Sequence, residues 1–205
     1  MRVGIFGGTF DPVHLGHLLV AEQAREQAEL DEVWFLPAAV PPQKQHQAIT
    51  PFDRRVEMLQ LAVAGQPRFR IDRIESERSG PSYTVDTLRS LRQRHPQETF
   101  CLIVGADCIP DFPTWYQPAE ILQLVELIVV ERPGVEIGTR EQLLTRVGLP
   151  AETPFTWRIV RVPVSGIASR EIRRLVQAGR SIRYQVPAAV AVYIHEKGLY
   201  AKQPD

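Results

Sequence analysis

At 205 residues, 44% of them hydrophobic and 23% charged, the chain has the size and composition of one globular domain with a substantial core. This excludes intrinsic disorder and argues against two independent domains. Lysine plus arginine and aspartate plus glutamate each total 24, so no global basic field exists to attract nucleic acid or an anionic membrane, and any anion site must be local.

The chain opens on a strand-like segment without the cationic, apolar and small-residue order of a secretory leader. No apolar run approaches the length that spans a bilayer, so a cytoplasmic location is expected. RVGIF (2–6), bounded by glycines, and EVWFLP (32–37), closed by Pro37, read as strands. Between them GHLLVAEQAREQAEL (16–30) sets Leu18, Leu19, Ala21, Ala24 and Ala28 at helical spacing, which predicts an amphipathic helix and a strand–helix–strand unit. The segment 37–47, with three prolines and a polar tip, is expected to be the most mobile loop.

Further along, helices are predicted over 51–65 and 82–95, and strands over 69–74, 99–105 and 124–132. After Pro133 the pattern loosens, with helices expected at 139–147, 169–178 and 187–197 and a strand at 157–162. This alternation implies an α/β fold: a Rossmann-like, doubly wound, mainly parallel sheet with helices on both faces. A small C-terminal helical portion at about 165–200 completes a single domain spanning 1–205. Cys101 and Cys108 have neither CxxC spacing nor histidine neighbours, which predicts two reduced, mostly buried thiols rather than zinc ligands or a disulfide.

The segment after the first strand runs Gly7-Gly8-Thr9-Phe10-Asp11-Pro12-Val13-His14-Leu15-Gly16-His17. It has neither the lysine of a P-loop nor the GxGxxG pattern, but it suits a phosphate by other means. Gly7 and Gly8 allow a ligand to approach the backbone, and Gly16 and His17 fall at the predicted helix N-terminus. No carboxylate follows His17 until Glu22, so the positive end of the helix dipole is left unneutralised. His14 and His17, three apart, can both face a group bound there. A satisfied structural pair is the alternative, and as metal ligands the two lack a third partner in the sequence.

GGTFDPVHLGH resembles the GxFxPxHxGH signature of the nucleotidyltransferase superfamily of adenylyl- and cytidylyltransferases. The resemblance implies that His14 and His17 hydrogen-bond the nucleotide phosphates and the pentacoordinate transition state, with Gly8, Thr9, Phe10 and Gly16 bordering ATP. The superfamily's second element, ISSTxIR, is matched near the C-terminus by Ile167-Ala168-Ser169-Arg170-Glu171-Ile172-Arg173. Ala168 replaces a serine and Arg170 a threonine. Ser169 is expected to cap a helix whose first turns carry Arg170, Arg173 and Arg174, a clash with the dipole that an anion would relieve. A solvated basic face is the alternative. By resemblance, Arg173 joins the histidines in the chemistry, and Ile167, Ser169, Arg170 and Arg173 hold the ATP phosphates.

Several more stretches narrow the family: PPQK (41–44), ERSGPSYTVDTL (77–88), IVGADCIPDFPTW (103–115), ERPG (131–134) and VPAAVAVYIHEKGLY (186–200). Together they are similar to the bacterial nicotinate-nucleotide adenylyltransferases over most of the chain. That resemblance implies transfer of AMP from ATP to nicotinate mononucleotide, giving deamido-NAD and pyrophosphate, with Mg²⁺ bound mainly through the ATP phosphates. Lys44, Ser82, Tyr83, Thr84, Asp107 and Trp115 are then the expected mononucleotide contacts. Ser82 to Thr84 open a helix whose N–H groups suit a carboxylate, or Ser82 simply caps it. Trp115 and Tyr116 suit stacking on a pyridinium ring, Trp115 more than Tyr116, for which a buried hydrophobic anchor weighs equally. Asp107 suits ribose hydroxyls or the organisation of the metal, or a capped turn. Gln43 stands where the family has histidine. Nicotinamide mononucleotide or phosphopantetheine as acceptor, a noncatalytic nucleotide sensor, and a homo-oligomeric assembly stay open at this level.

Overall fold

The computed structural model describes residues 1–42, 48–132, 134–163 and 166–202. Six strands form one sheet: β1 (Arg2–Gly8), β2 (Glu32–Pro37), β3 (Phe69–Ile71), β4 (Thr99–Gly105), β5 (Glu126–Val130) and β6 (Trp157–Val160). Their order is β3-β2-β1-β4-β5-β6 and every neighbouring pair is parallel. The connections are α1 (Leu15–Gln27), α2 (Phe52–Val63), α3 (Thr84–Arg94), α4 (Pro118–Leu124) and α5 (Arg140–Arg146), followed by α6 (Ser169–Gln177) and α7 (Ala188–Glu196).

Alternate residues of each strand serve opposite faces, as the pleat requires. Trp34 and Leu36 join α3, α4 and α5 in one core through Leu88, Leu91, Ile121 and Leu144. Val33 and Phe35 join α1, α2, α6 and α7 in the other through Ala24, Met58, Ile172 and Val190. The C-terminal helices are thus part of a covering layer of the sheet rather than an appendage. Chain order reverses direction between β1 and β4, and the carboxyl ends at such a switch point open onto a crevice where α/β folds bind ligands. The loops 9–14 and 106–117 leave from those ends.

Several boundaries differ from expectation for local reasons. Gly7 and Gly8 stay in β1, paired with Leu36 and Pro37, so the turn begins only at Thr9. The strand expected over 69–74 stops at Ile71, and a short helical turn, Ile74–Glu77, follows, with the Asp72 carboxylate accepting from the Ile74 N–H. The run expected as a strand over 124–132 begins with the last residue of α4, a helix that Pro118 starts from its first turn. Cys101 is buried, Cys108 is half-buried, and both are free thiols. Among the described residues no helix is long and apolar enough to cross a membrane.

Candidate active site

The two histidines build the tip of α1. His14 is its N-cap residue; its Nδ1 accepts the His17 N–H at 3.3 Å, while His17 Nδ1 accepts the His14 N–H at 3.2 Å. This is a reciprocal capping box made of imidazoles. The rings stack with centroids 3.6 Å apart and planes 20° from parallel. Because both Nδ1 atoms accept, the partners assign the proton of each neutral ring to Nε2, which makes Nε2 the donor each ring can offer a ligand. His14 is 6% exposed, and burial, reinforced by the Arg132 charge, lowers its pKa to about 4. Near neutrality it is a donor without charge. His17 lies edge-on to Phe10 at 5.0 Å, and the first turn of α1 holds no acidic residue.

The second motif meets the first. Ser169 Oγ donates to the Pro12 carbonyl at 2.9 Å, and Arg173 Nη1 donates to the Asp11 carbonyl at 2.7 Å. Ser169 is the first residue of α6 and does not cap it; the N-cap is Ala168, whose methyl group can accept no hydrogen bond. That corrects the expected cap, since the hydroxyl is spent tying α6 to the loop after β1. Arg174 is paired with Glu171 at 2.6 Å, so the expected cluster of unmatched cations reduces to Arg170, which is exposed, and the half-buried Arg173. Ile167 packs against the core beneath α6.

Buried polar groups brace this junction from below. Arg55, 1% exposed, donates to three main-chain carbonyls in two loops at once: Nε to Thr50 O at 2.9 Å, Nη1 to Thr9 O and Nη2 to Ala38 O, both at 2.8 Å. Asp11, 3% exposed, accepts from the Tyr200 hydroxyl at 2.6 Å and from the Thr50 N–H at 3.3 Å. Phe10 is buried under the loop, so only its main chain borders the crevice. A Cβ on Gly8 would sit 3.0 Å from the Phe10 ring, which accounts for glycine there. Gly16 is buried in the first turn of α1.

The side expected to take the mononucleotide is built differently. Ser82 Oγ accepts the N–H groups of Ala39 and Val40, each at 3.1 Å, and so binds the loop after β2 to the approach of α3. It does not cap α3, whose N-cap is Tyr83 and whose first residue is Thr84. Nearby Glu75 is buried and accepts from Thr87 Oγ1 at 2.9 Å, and burial raises its pKa. The Tyr83 and Tyr116 rings lie 4.7 Å apart, with Tyr116 49% exposed. Trp115 is half-buried, 5.0 Å from Phe112, and packs on the core. Asp107 Oδ1 meets Arg132 Nε at 2.9 Å, both side chains 54% exposed. A Cβ on Gly105 would fall 2.3 Å from that carboxylate oxygen, so glycine makes room for the pair. Lys44, Gln43 and the tip of the loop 37–47 lie outside the described residues.

A sequence family described as cytidylyltransferase-like matches residues 5–175. The nicotinate-nucleotide adenylyltransferase of Bacillus subtilis is 42% identical over 199 residues, covering 97% of this chain and 98% of the relative. A Thermus thermophilus protein named "Probable nicotinate-nucleotide adenylyltransferase" is 48% identical over 200 residues, 98% of this chain and all of its own length. This chain belongs to the nicotinate-nucleotide adenylyltransferase family. At the level of fold, the Plasmodium falciparum nicotinic acid mononucleotide adenylyltransferase complexed with NaAD superposes with a TM-score of 0.79 at 21% identity, over 97% of each chain.

Within this member of the family the structure adds residues that the motifs do not single out. Arg55 sits in PFDRRVEM beside another arginine, and only its helical phase with Leu59 signals that it points inward. Tyr200 and Asp11 meet across 189 residues, a pairing with no local signal. Among the described residues no group of three or more histidine, cysteine, aspartate or glutamate side chains is placed to hold a metal ion.

Proposed function

We infer that the chain transfers AMP from ATP to nicotinate mononucleotide, releasing pyrophosphate and forming nicotinate adenine dinucleotide. The observation that carries this reading is the union of the two phosphate-directed helix tips, with Ser169 and Arg173 of α6 hydrogen-bonded to the loop that ends in His14. The names of relatives that align over nearly the whole chain support the substrate pair.

The reaction needs positioning more than proton transfer. The mononucleotide phosphate has its second pKa near about 6 and is already a dianion at neutral pH. One of its oxygens attacks the α-phosphorus in line, the bond from that phosphorus to the bridging oxygen breaks, and pyrophosphate departs with the electron pair. The Nε2–H groups of His14 and His17 would donate to the α-phosphoryl oxygens as charge builds on them. Arg173, with one Nη held by Asp11, keeps its remaining donors for the departing phosphates. Mg²⁺ bound mainly through ATP phosphate oxygens and water needs no cage of protein ligands, and it would supply further charge neutralisation.

The test is pyrophosphate release with ATP and Mg²⁺ against nicotinate mononucleotide, nicotinamide mononucleotide and phosphopantetheine in parallel. The nicotinate form should have the highest kcat/KM. His17→Ala should lower kcat by about 10²–10³-fold, the usual loss for one preorganised donor, and should change ATP affinity far less. Equal turnover of all three acceptors, or ATP binding without pyrophosphate release, would overturn the reading.

A further inference from the structure

We propose that Tyr200 is a positioning residue for this transfer, its hydroxyl fixing, through Asp11, the loop that orients Arg173 and both histidines. The proposal rests on the adenylyl-transfer reading. The Asp11 carboxylate is buried, and the Tyr200 hydroxyl meets one of its oxygens at 2.6 Å while the Thr50 N–H meets the other at 3.3 Å. The main-chain carbonyl of the same residue receives Arg173, and the next carbonyl, that of Pro12, receives Ser169. Asp11 is therefore the point at which a side-chain anchor becomes a main-chain position, three residues before the histidine box begins at His14.

Backbone conformation points the same way. Tyr200 and Phe10, the residue before Asp11, are both left-handed, with φ of 63° and 49°. Residues other than glycine adopt that region at a cost and keep it where the surroundings over-determine them, as functional sites do. Here the over-determination has identifiable parts: Phe10 is pinned in the core, and the Tyr200 ring packs against the same cluster while its hydroxyl reaches Asp11. Removing the hydroxyl leaves one buried carboxylate oxygen without its donor, and the loop rearranges to satisfy it. In-line transfer tolerates little displacement, so the loss should fall on the chemical step.

Tyr200→Phe keeps the ring in the core, so thermal melting should show a retained fold. Pyrophosphate-release kinetics should then show kcat roughly ten-fold lower, the loss expected for a hydrogen bond to a charged group, with KM for ATP and for the mononucleotide within about two-fold of wild type. Asp11→Asn should behave similarly, and the double variant should be no worse than the poorer single variant, because both remove one interaction. A folded Tyr200→Phe protein with wild-type kcat, a loss appearing only in KM, or single losses that multiply would each overturn the proposal. If the wild-type protein released no pyrophosphate with any mononucleotide, adenylyl transfer itself would fail, and the proposal with it.

Discussion

The two ends of the crevice are built on different physical terms. At the histidine end the fixing groups, Arg55, Asp11 and His14, are almost wholly buried and their partners are mostly main-chain atoms. At the other end the Asp107–Arg132 pair and the Tyr116 ring stand in solvent. Bonds among buried groups are costly to break, because each lost partner leaves an unsatisfied atom out of reach of water. An exposed ion pair gains little over its hydrated components and can part readily. One end is set before any ligand arrives, and the other can adjust to what it receives.

The most severe way to break that contrast is Arg55→Met. It leaves the carbonyls of Thr9, Ala38 and Thr50 without their common donor and should cost about 4 kcal/mol of stability, read from urea unfolding. Arg55→Lys should rescue little of this, since one ammonium cannot span three divergent carbonyls.

Titration of His14 tests the same end by another route. With its pKa lowered to about 4 in the native protein, against an ordinary value of 6.5, the unfolded chain takes up a proton that the folded chain refuses. The contribution is complete above pH 6.5 and is lost as the pH falls towards 4, amounting to about 3 kcal/mol at most. The dependence of unfolding free energy on pH in this window should flatten in His14→Asn relative to wild type.

The smallest expected effect belongs to the open end. Tyr116→Ala should raise KM for the mononucleotide about five-fold, in line with the loss of one ring contact, and leave stability within about 0.5 kcal/mol. Trp115→Ala, which also uncovers the core beside Phe112, should lower the melting temperature as well. Equal effects of the two substitutions on stability would dissolve the distinction between an anchored ring and a free one.

Much of the scaffold was legible in the chain because its signals are local. The alternation of apolar runs and amphipathic stretches placed the strands and most helices, and the lack of acid after His17 marked the tip of α1. Ends of elements were less legible, since Gly7 and Gly8 remain in β1 only through pairing with β2, a partner that no local pattern names. The capping expected of Ser169, and weighed as the alternative for Ser82, fails for a related reason. Each stands where a cap is expected, but each spends its hydroxyl on a segment distant in sequence, Pro12 in one case and Ala39 and Val40 in the other. Arg55, Asp11 and Tyr200 carry no motif of their own, and their importance exists only after folding brings four segments together.

The bond between Asp11 and Tyr200 spans 189 residues, and that between Asp11 and Arg173 spans 162. During synthesis the first strand and its histidine loop emerge early and must wait for almost the whole chain before the last brace arrives. A product stalled before α6 and Tyr200 would carry the complete N-terminal signature without the Ser169, Arg173 and Tyr200 contacts that hold its loop.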